Sequence, residues 1–75
     1  MKKSIVLNIV NEIRAAKSLE PVAELKEETR LREDLSLTSF DLAELTVKIE
    51  DEFDIDIFED GLVNTIGEIY AKLSK

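Results

Sequence analysis

The stretch LREDLSLTSFDLAELTVKIEDEF, residues 31–53, decides how this chain folds. Its character changes at Thr38. Before that point leucines stand at 31, 35 and 37 among charged and polar residues without a sustained period. After it Leu42, Leu45, Ile49 and Phe53 recur at i, i+3, i+7 and i+11, the spacing of one face of an α-helix. Thr38-Ser39-Phe40-Asp41 supplies the start of that helix, with Thr38 as N-cap and the Asp41 carboxylate reaching back from N3. Phe40, Ala43 and Val47 form a second apolar line, turned by about 160° from the first at roughly 100° per residue. One helix in a small domain does not bury both lines.

Working outward toward the N-terminus, Ile5, Ile9 and Ile13 recur at i, i+4 and i+8, widened by Val6 and Val10. They predict a helix from Ser4, as N-cap, to about Lys17, whose cation suits the negative end of the helix dipole. Residues 18–38 contain the only proline, Pro21, and read as a long connection. A loop of that length in a compact domain has to be packed or functional. Leu19, Val22, Leu25, Leu31, Leu35 and Leu37 are spaced to pin it onto a core, and part of 21–28 is expected to form one helical turn.

On the other side, DIDIFED at 54–60 alternates like a strand but has no partner strand anywhere in the chain. A short turn of helix around Ile57 to Leu62, broken by Gly61, is the better expectation. Thr65-Ile66-Gly67-Glu68 repeats the capping box, and Ile66, Ile69, Tyr70 and Leu73 form the stripe of a last helix. The expected architecture is one all-α domain over 1–75, a small four-helix bundle of three main helices plus one short helix, with a long loop between helices 1 and 2.

Seventy-five residues bury only roughly 60% of the surface of the unfolded chain, too little to enclose a substrate. With no Cys and no His, there is no disulfide, no thiol nucleophile, no thiolate metal site and no imidazole base. The chain is therefore not expected to be an enzyme. Paired carboxylates do not rescue that reading, because they need a pocket that separates their pKa values. A calcium loop fails on register: starting at Asp54, Phe58 falls on a ligand position, Glu59 on the glycine and Thr65 on the bidentate Glu. No metal site is expected. Asn8, Asn11 and Glu12 interrupt the opening MKKSIVLNIVNEI too early for a secretory signal, and no apolar run reaches the roughly 18 residues of a membrane span. A soluble, monomeric, cytoplasmic protein is the expectation.

The net charge is −7, from 17 acidic and 10 basic residues. It is not evenly spread. Residues 33–68 hold twelve acids and one base, Lys48, for −11, and the remaining five acids and nine bases give +4. Nucleic acid, which needs clustered cations, is excluded as a partner. An acidic helix face is ordinarily just solvated. Here, though, Phe40, Ala43 and Val47 are embedded among Asp41, Glu44, Glu50 and Asp51, and apolar residues within one sign of charge favour steered docking of basic partners. Ser39 stands at the start of this helix with an accessible hydroxyl. Without a base it is no nucleophilic catalyst, but it is open to modification, and a phosphate ester there meets free backbone N–H groups at the positive end of the helix.

With Leu31, Asp34, Leu35, Leu37 and Ser39 in the pattern Leu-x-x-Asp-Leu-x-Leu-x-Ser, followed by Glu50-x-x-Phe53, the chain resembles the acyl carrier protein family. The resemblance runs through essentially all 75 residues. It implies that Ser39 is esterified with 4′-phosphopantetheine from coenzyme A by a magnesium-dependent phosphopantetheinyl transferase. The arm's thiol then carries acyl chains as thioesters for fatty-acid, polyketide or related biosynthesis. It also implies that Phe40, Asp41, Ala43, Glu44, Val47, Glu50 and Asp51 dock basic patches of the transferase, acyl transferases and ketosynthases. The chain departs from the family's Asp-Ser-Leu, having Thr38, Ser39 and Phe40, which points to a specialised carrier. The competing expectation is an acidic helical interaction module that never receives the arm.

Overall fold

A computed structural model of the chain describes residues 2–59, 61 and 63–74. Helix α1 spans Lys2–Ala16, α2 Ser39–Phe53 and α3 Ile66–Leu73. Among the described residues there is no strand, only one isolated antiparallel bridge between Arg30 and Thr65, and no helix long and apolar enough to cross a membrane. The second and third helices start where the capping boxes predict. In both, the threonine side chain accepts the N3 backbone N–H and the N3 carboxylate accepts the cap backbone N–H.

α1 departs from expectation at its start. Ser4 is not its N-cap but lies inside the first turn, because the helix begins at Lys2. The Lys2 ammonium donates to the Leu73 carbonyl at 2.5 Å. This contact ties the start of α1 to the end of α3 and anchors the residues that precede Ser4 in the helix. At the other end α1 closes with Ser18 in the left-handed region, φ 63°. Leu19 N–H donates to the Arg14 carbonyl and Ser18 N–H to the Ala15 carbonyl, the two bonds of a Schellman motif.

The long connection is packed, as its leucines suggested. Leu31, Leu35 and Leu37 join the core with Val6, Ile9, Val10 and Ile13 of α1 and Leu42, Leu45 and Ile49 of α2, while Val22 and Leu25 lie partly buried against it. Side chains of α1 hold its backbone. Asn11 both donates to and accepts from the Val22 main chain, at 3.1 and 2.9 Å. Arg14 donates to the Glu20 and Leu35 carbonyls at 2.9 and 2.6 Å. The helical turn expected within 21–28 does not form: Asn11 takes both polar groups of Val22, and the chain reverses only at Lys26 to Thr29.

The turn sits instead at 30–35. There the Asp34 carboxylate accepts the Arg30 backbone N–H at 2.8 Å, and Leu35 N–H returns to the Arg30 carbonyl. That bond lowers the Asp34 pKa below the usual carboxylate range, with the Arg30 side chain adding to it. The aspartate closes the turn, and Ser36 in the left-handed region, φ 60°, stands between two inward-facing leucines. The Leu-x-x-Asp-Leu-x-Leu element is thus a plug that leads the chain to Ser39.

Beyond α2, Asp54 terminates the helix in the left-handed region, its N–H bonded to the Glu50 carbonyl. Where a short fourth helix was expected, the described residues form tight turns: Phe58 N–H donates to the Asp56 side chain, Glu59 N–H to the Asp56 carbonyl and Gly61 N–H to the Phe58 carbonyl. Asp56 captures the local donors, which suits turns rather than helix. The parts of that expectation on Asp60 and Leu62 lie outside the described residues. Ile57 and Val63 still reach the core.

The start of α3 is fixed to the long loop. Leu31 N–H donates to the Asn64 carbonyl, Ile66 N–H to the Thr29 carbonyl and Gly67 N–H to the Glu27 carbonyl, each at 2.9 Å. A Cβ on Gly67 would stand 2.9 Å from the Glu27 carbonyl oxygen, so this close approach of two backbones needs glycine.

Candidate functional site

Ser39 is the first residue of α2 and is exposed. Two anchors fix its position. Behind it, Leu35 and Leu37 are sunk in the core. Ahead of it, Asp41 locks the first helical turn: its carboxylate accepts from Thr38 N–H at 2.9 Å, the Thr38 hydroxyl at 3.1 Å and the Lys17 ammonium at 2.5 Å. Lys17 also donates to the Ser36 carbonyl at 2.6 Å. One lysine at the end of α1 thereby braces both the residue entering the site and the cap beside it. The Lys17 hydrogen bond, then the Thr38 backbone N–H, hold the Asp41 pKa below the usual carboxylate range.

The Arg32 guanidinium donates to Ser39 Oγ at 2.6 Å. This is the contact that the sequence did not reveal. Arg32 lies one residue before the acidic stretch and reads there as an ordinary solvated cation. Only the turn closed by Asp34 swings it over a serine seven positions on. Together with Leu42, Ala43 and Phe58, Arg32 and Ser39 line an open depression of about 320 Å³. It has a cation and a hydroxyl at its rim and apolar walls.

Phe40 is 85% exposed and Val47 64%, and Ala43, Glu44, Glu50 and Asp51 are exposed with them. The expected second apolar line stands in solvent. Asp41 is the exception among the residues expected to dock partners: it is buried, 8% exposed, and its carboxylate is committed to Thr38 and Lys17. It belongs to the cap and leaves the docking set. The only base in the acidic stretch, Lys48, reaches Glu12 of α1 at 3.7 Å.

A phosphate ester on Ser39 fits these surroundings. The hydroxyl faces solvent, a guanidinium is within hydrogen-bond reach of it, and among the described residues the backbone N–H groups of Ser39 and Phe40 have no acceptor. Such unpaired donors at a helix start suit an anion.

Comparison with known proteins bears on the family rather than on any one residue. The family model PP-binding, described as the phosphopantetheine attachment site, matches residues 6–73. No curated protein matches at a significant level, and no solved structure does either. The group that this family carries is covalent 4′-phosphopantetheine. Carriers of this kind interact with the transferase that loads the arm and with the synthase enzymes that use it. The match takes in α1 from Val6 on, the long loop, all of α2 and all of α3, so the chain belongs to the phosphopantetheine attachment site family.

Proposed function

We propose that this protein is a non-catalytic acyl carrier and that Ser39 is its point of attachment. The observation that carries the reading is the Ser39 hydroxyl, exposed at the first position of a capped helix with a guanidinium 2.6 Å away. In loading, Ser39 Oγ forms a bond to the phosphorus bearing the pantetheine as the pyrophosphate link of coenzyme A breaks. The adenosine bisphosphate half leaves. The hydroxyl proton passes to a base of the transferase, since this chain has no histidine to take it. The arm supplies the thiol that a cysteine-free chain lacks, and holds acyl groups as thioesters.

The same reading gives the exposed line of Phe40, Ala43 and Val47 a use. Apolar side chains left in water within a field of Glu44, Glu50 and Asp51 favour transient partners with basic rims, whose approach the acidic charge accelerates. Phe40 in place of leucine and Thr38 in place of aspartate change the surface next to the attachment point, which favours a specialised rather than a general carrier.

Intact mass after incubation with coenzyme A, Mg²⁺ and a permissive phosphopantetheinyl transferase tests the proposal. One phosphopantetheine addition is expected on the native protein and none on Ser39→Ala. Absence of any addition with several transferases would leave the acidic interaction module as the reading. Replacing Glu44 and Asp51 by Lys is expected to slow loading and flatten its salt dependence; an unchanged salt dependence would remove them from the docking face.

A further inference from the structure

We infer that Arg32 is the built-in counter-cation of the arm's phosphodiester, pinning the root of the arm over the depression beside Ser39. The inference rests on the attachment reading above. Four observations carry it. Arg32 Nη2 already touches Oγ, at 2.6 Å, and in the loaded protein the phosphorus is bonded to that same oxygen, so its free oxygens lie within the guanidinium's reach. Among the described residues Arg32 has no competing acid: the carboxylates next to it in sequence, Glu33 and Asp34, both pair with Arg30, at 3.6 and 3.2 Å. Among the described residues Ser39 Oγ is the only acceptor that Arg32 has. The residue preceding Ser39 is Thr38, a neutral cap, so no carboxylate at that position draws the guanidinium away.

The chemistry matches the group. A planar guanidinium with several N–H donors binds phosphate oxygens by paired hydrogen bonds, which an ammonium does not reproduce. A phosphate facing an arginine at a helix start orders the segment that bears it. The walls of Leu42, Ala43 and Phe58 then lie next to the first apolar atoms of the arm. Arg32 is exposed, so the pairing is worth about a twofold to fivefold excess of pinned over free arm at low salt, and it weakens as salt screens it. A docking partner with a basic rim has to displace or replace this cation to take the arm.

Nuclear magnetic resonance of the loaded protein decides it. The ³¹P resonance of the phosphodiester is recorded at low and high salt in the native protein and in Arg32→Ala, Arg32→Lys and, as a remote control, Lys48→Ala. Loading is expected to shift the Arg32 side-chain N–H resonance while leaving that of Arg14 in place. Arg32→Ala is expected to move the ³¹P resonance toward the position of free serine-linked phosphopantetheine and reduce its salt dependence, the backbone N–H groups of the helix start keeping the remainder. Arg32→Lys should restore part of the effect, and Lys48→Ala should match the native protein. A ³¹P resonance that is the same in native and Arg32→Ala protein, after loading at Ser39 has been verified by mass, overturns the role of Arg32 alone. Failure to load at all overturns the attachment reading, and the assignment of Arg32 with it.

Discussion

At the start of α2, Thr38 and Asp41 close a capping box; at the start of α3, Thr65 and Glu68 close another. The local chemistry is nearly the same, a threonine hydroxyl exchanged for a carboxylate across one turn. The settings are opposite. The first helical residue of α2 is Ser39, exposed beneath Arg32; that of α3 is Ile66, fully buried, with its N–H on the Thr29 carbonyl. Asp41 is turned inward onto Lys17, just past the end of α1, whereas Glu68 stays exposed and accepts the Asn64 and Thr65 backbone N–H groups and the Thr65 hydroxyl. Capping makes a helix start; what covers its first turn makes it a joint or a site. In α3 the turn is covered by the long loop, and in α2 it is left open.

The largest effects should come from exchanging these two roles. Ile66→Ala empties a fully buried position and should cost about 2–5 kcal/mol of stability, read by urea denaturation. Ser39→Ala removes an exposed hydroxyl and should stay within about 0.5 kcal/mol of the native protein while abolishing loading. If Ser39→Ala destabilises as Ile66→Ala does, the serine is a structural cap and the contrast between the two helix starts collapses.

The caps themselves should differ by less. Thr38→Ala removes a hydroxyl that both accepts Asp41 N–H and donates to the buried Asp41 carboxylate, and should cost about 1–2 kcal/mol. Thr65→Ala leaves an exposed Glu68 that water can solvate, so about 0.5–1 kcal/mol is expected. Equal losses in paired urea titrations would show that the burial of Asp41 adds nothing to its cap.

The three helices were legible because each is written locally. Leu42, Leu45 and Ile49 repeat at the helical period, and Thr38 and Thr65 announce where two helices begin. The exposure of Phe40 and Val47 was legible from the same arithmetic, since a second apolar line so far round the helix has nowhere to pack. What sequence did not carry is everything settled by one segment meeting another. Asn11 taking both polar groups of Val22, Lys2 donating to the Leu73 carbonyl and the Glu27 carbonyl demanding glycine at 67 all join residues distant in sequence. Asp56 is the local exception: its side chain turned an expected helical turn into a series of tight ones. The exposed place of Ser39 at the head of α2 was readable from the capping pattern, whereas the approach of Arg32 to it required the fold of the intervening turn. Asp41 had two readings, cap and docking acid, and its burial against Lys17, just past the end of α1, together with the Thr38 bonds, decides for the cap.

Lys17 gives the smallest and most selective test of the difference between the two helix starts. Both capping carboxylates have folded pKa values below the ordinary range, Asp41 through the Lys17 hydrogen bond first and Glu68 through the Asn64 and Thr65 backbone N–H groups. A depressed folded pKa means that the native state holds its proton less readily than the unfolded chain. The associated stability is therefore present above the unfolded values, roughly pH 3.9 for Asp and 4.3 for Glu, and is lost as the pH falls through the folded ones. Lys17→Met removes the largest cause at Asp41 and leaves every partner of Glu68 in place. Carboxyl ¹³C titrations should then show the Asp41 midpoint moving up toward the ordinary value while that of Glu68 does not move. The Lys17–Asp41 pair is partly screened, with side chains 29% and 11% exposed. The loss at neutral pH should accordingly stay below about 1 kcal/mol and shrink further in acid as Asp41 protonates in both proteins. A Glu68 midpoint that shifts in step with Asp41 would mean that the two helix starts are coupled through the core. An Asp41 midpoint that stays put would mean that Thr38 alone sets the cap and that α1 contributes nothing to holding the turn beneath Ser39.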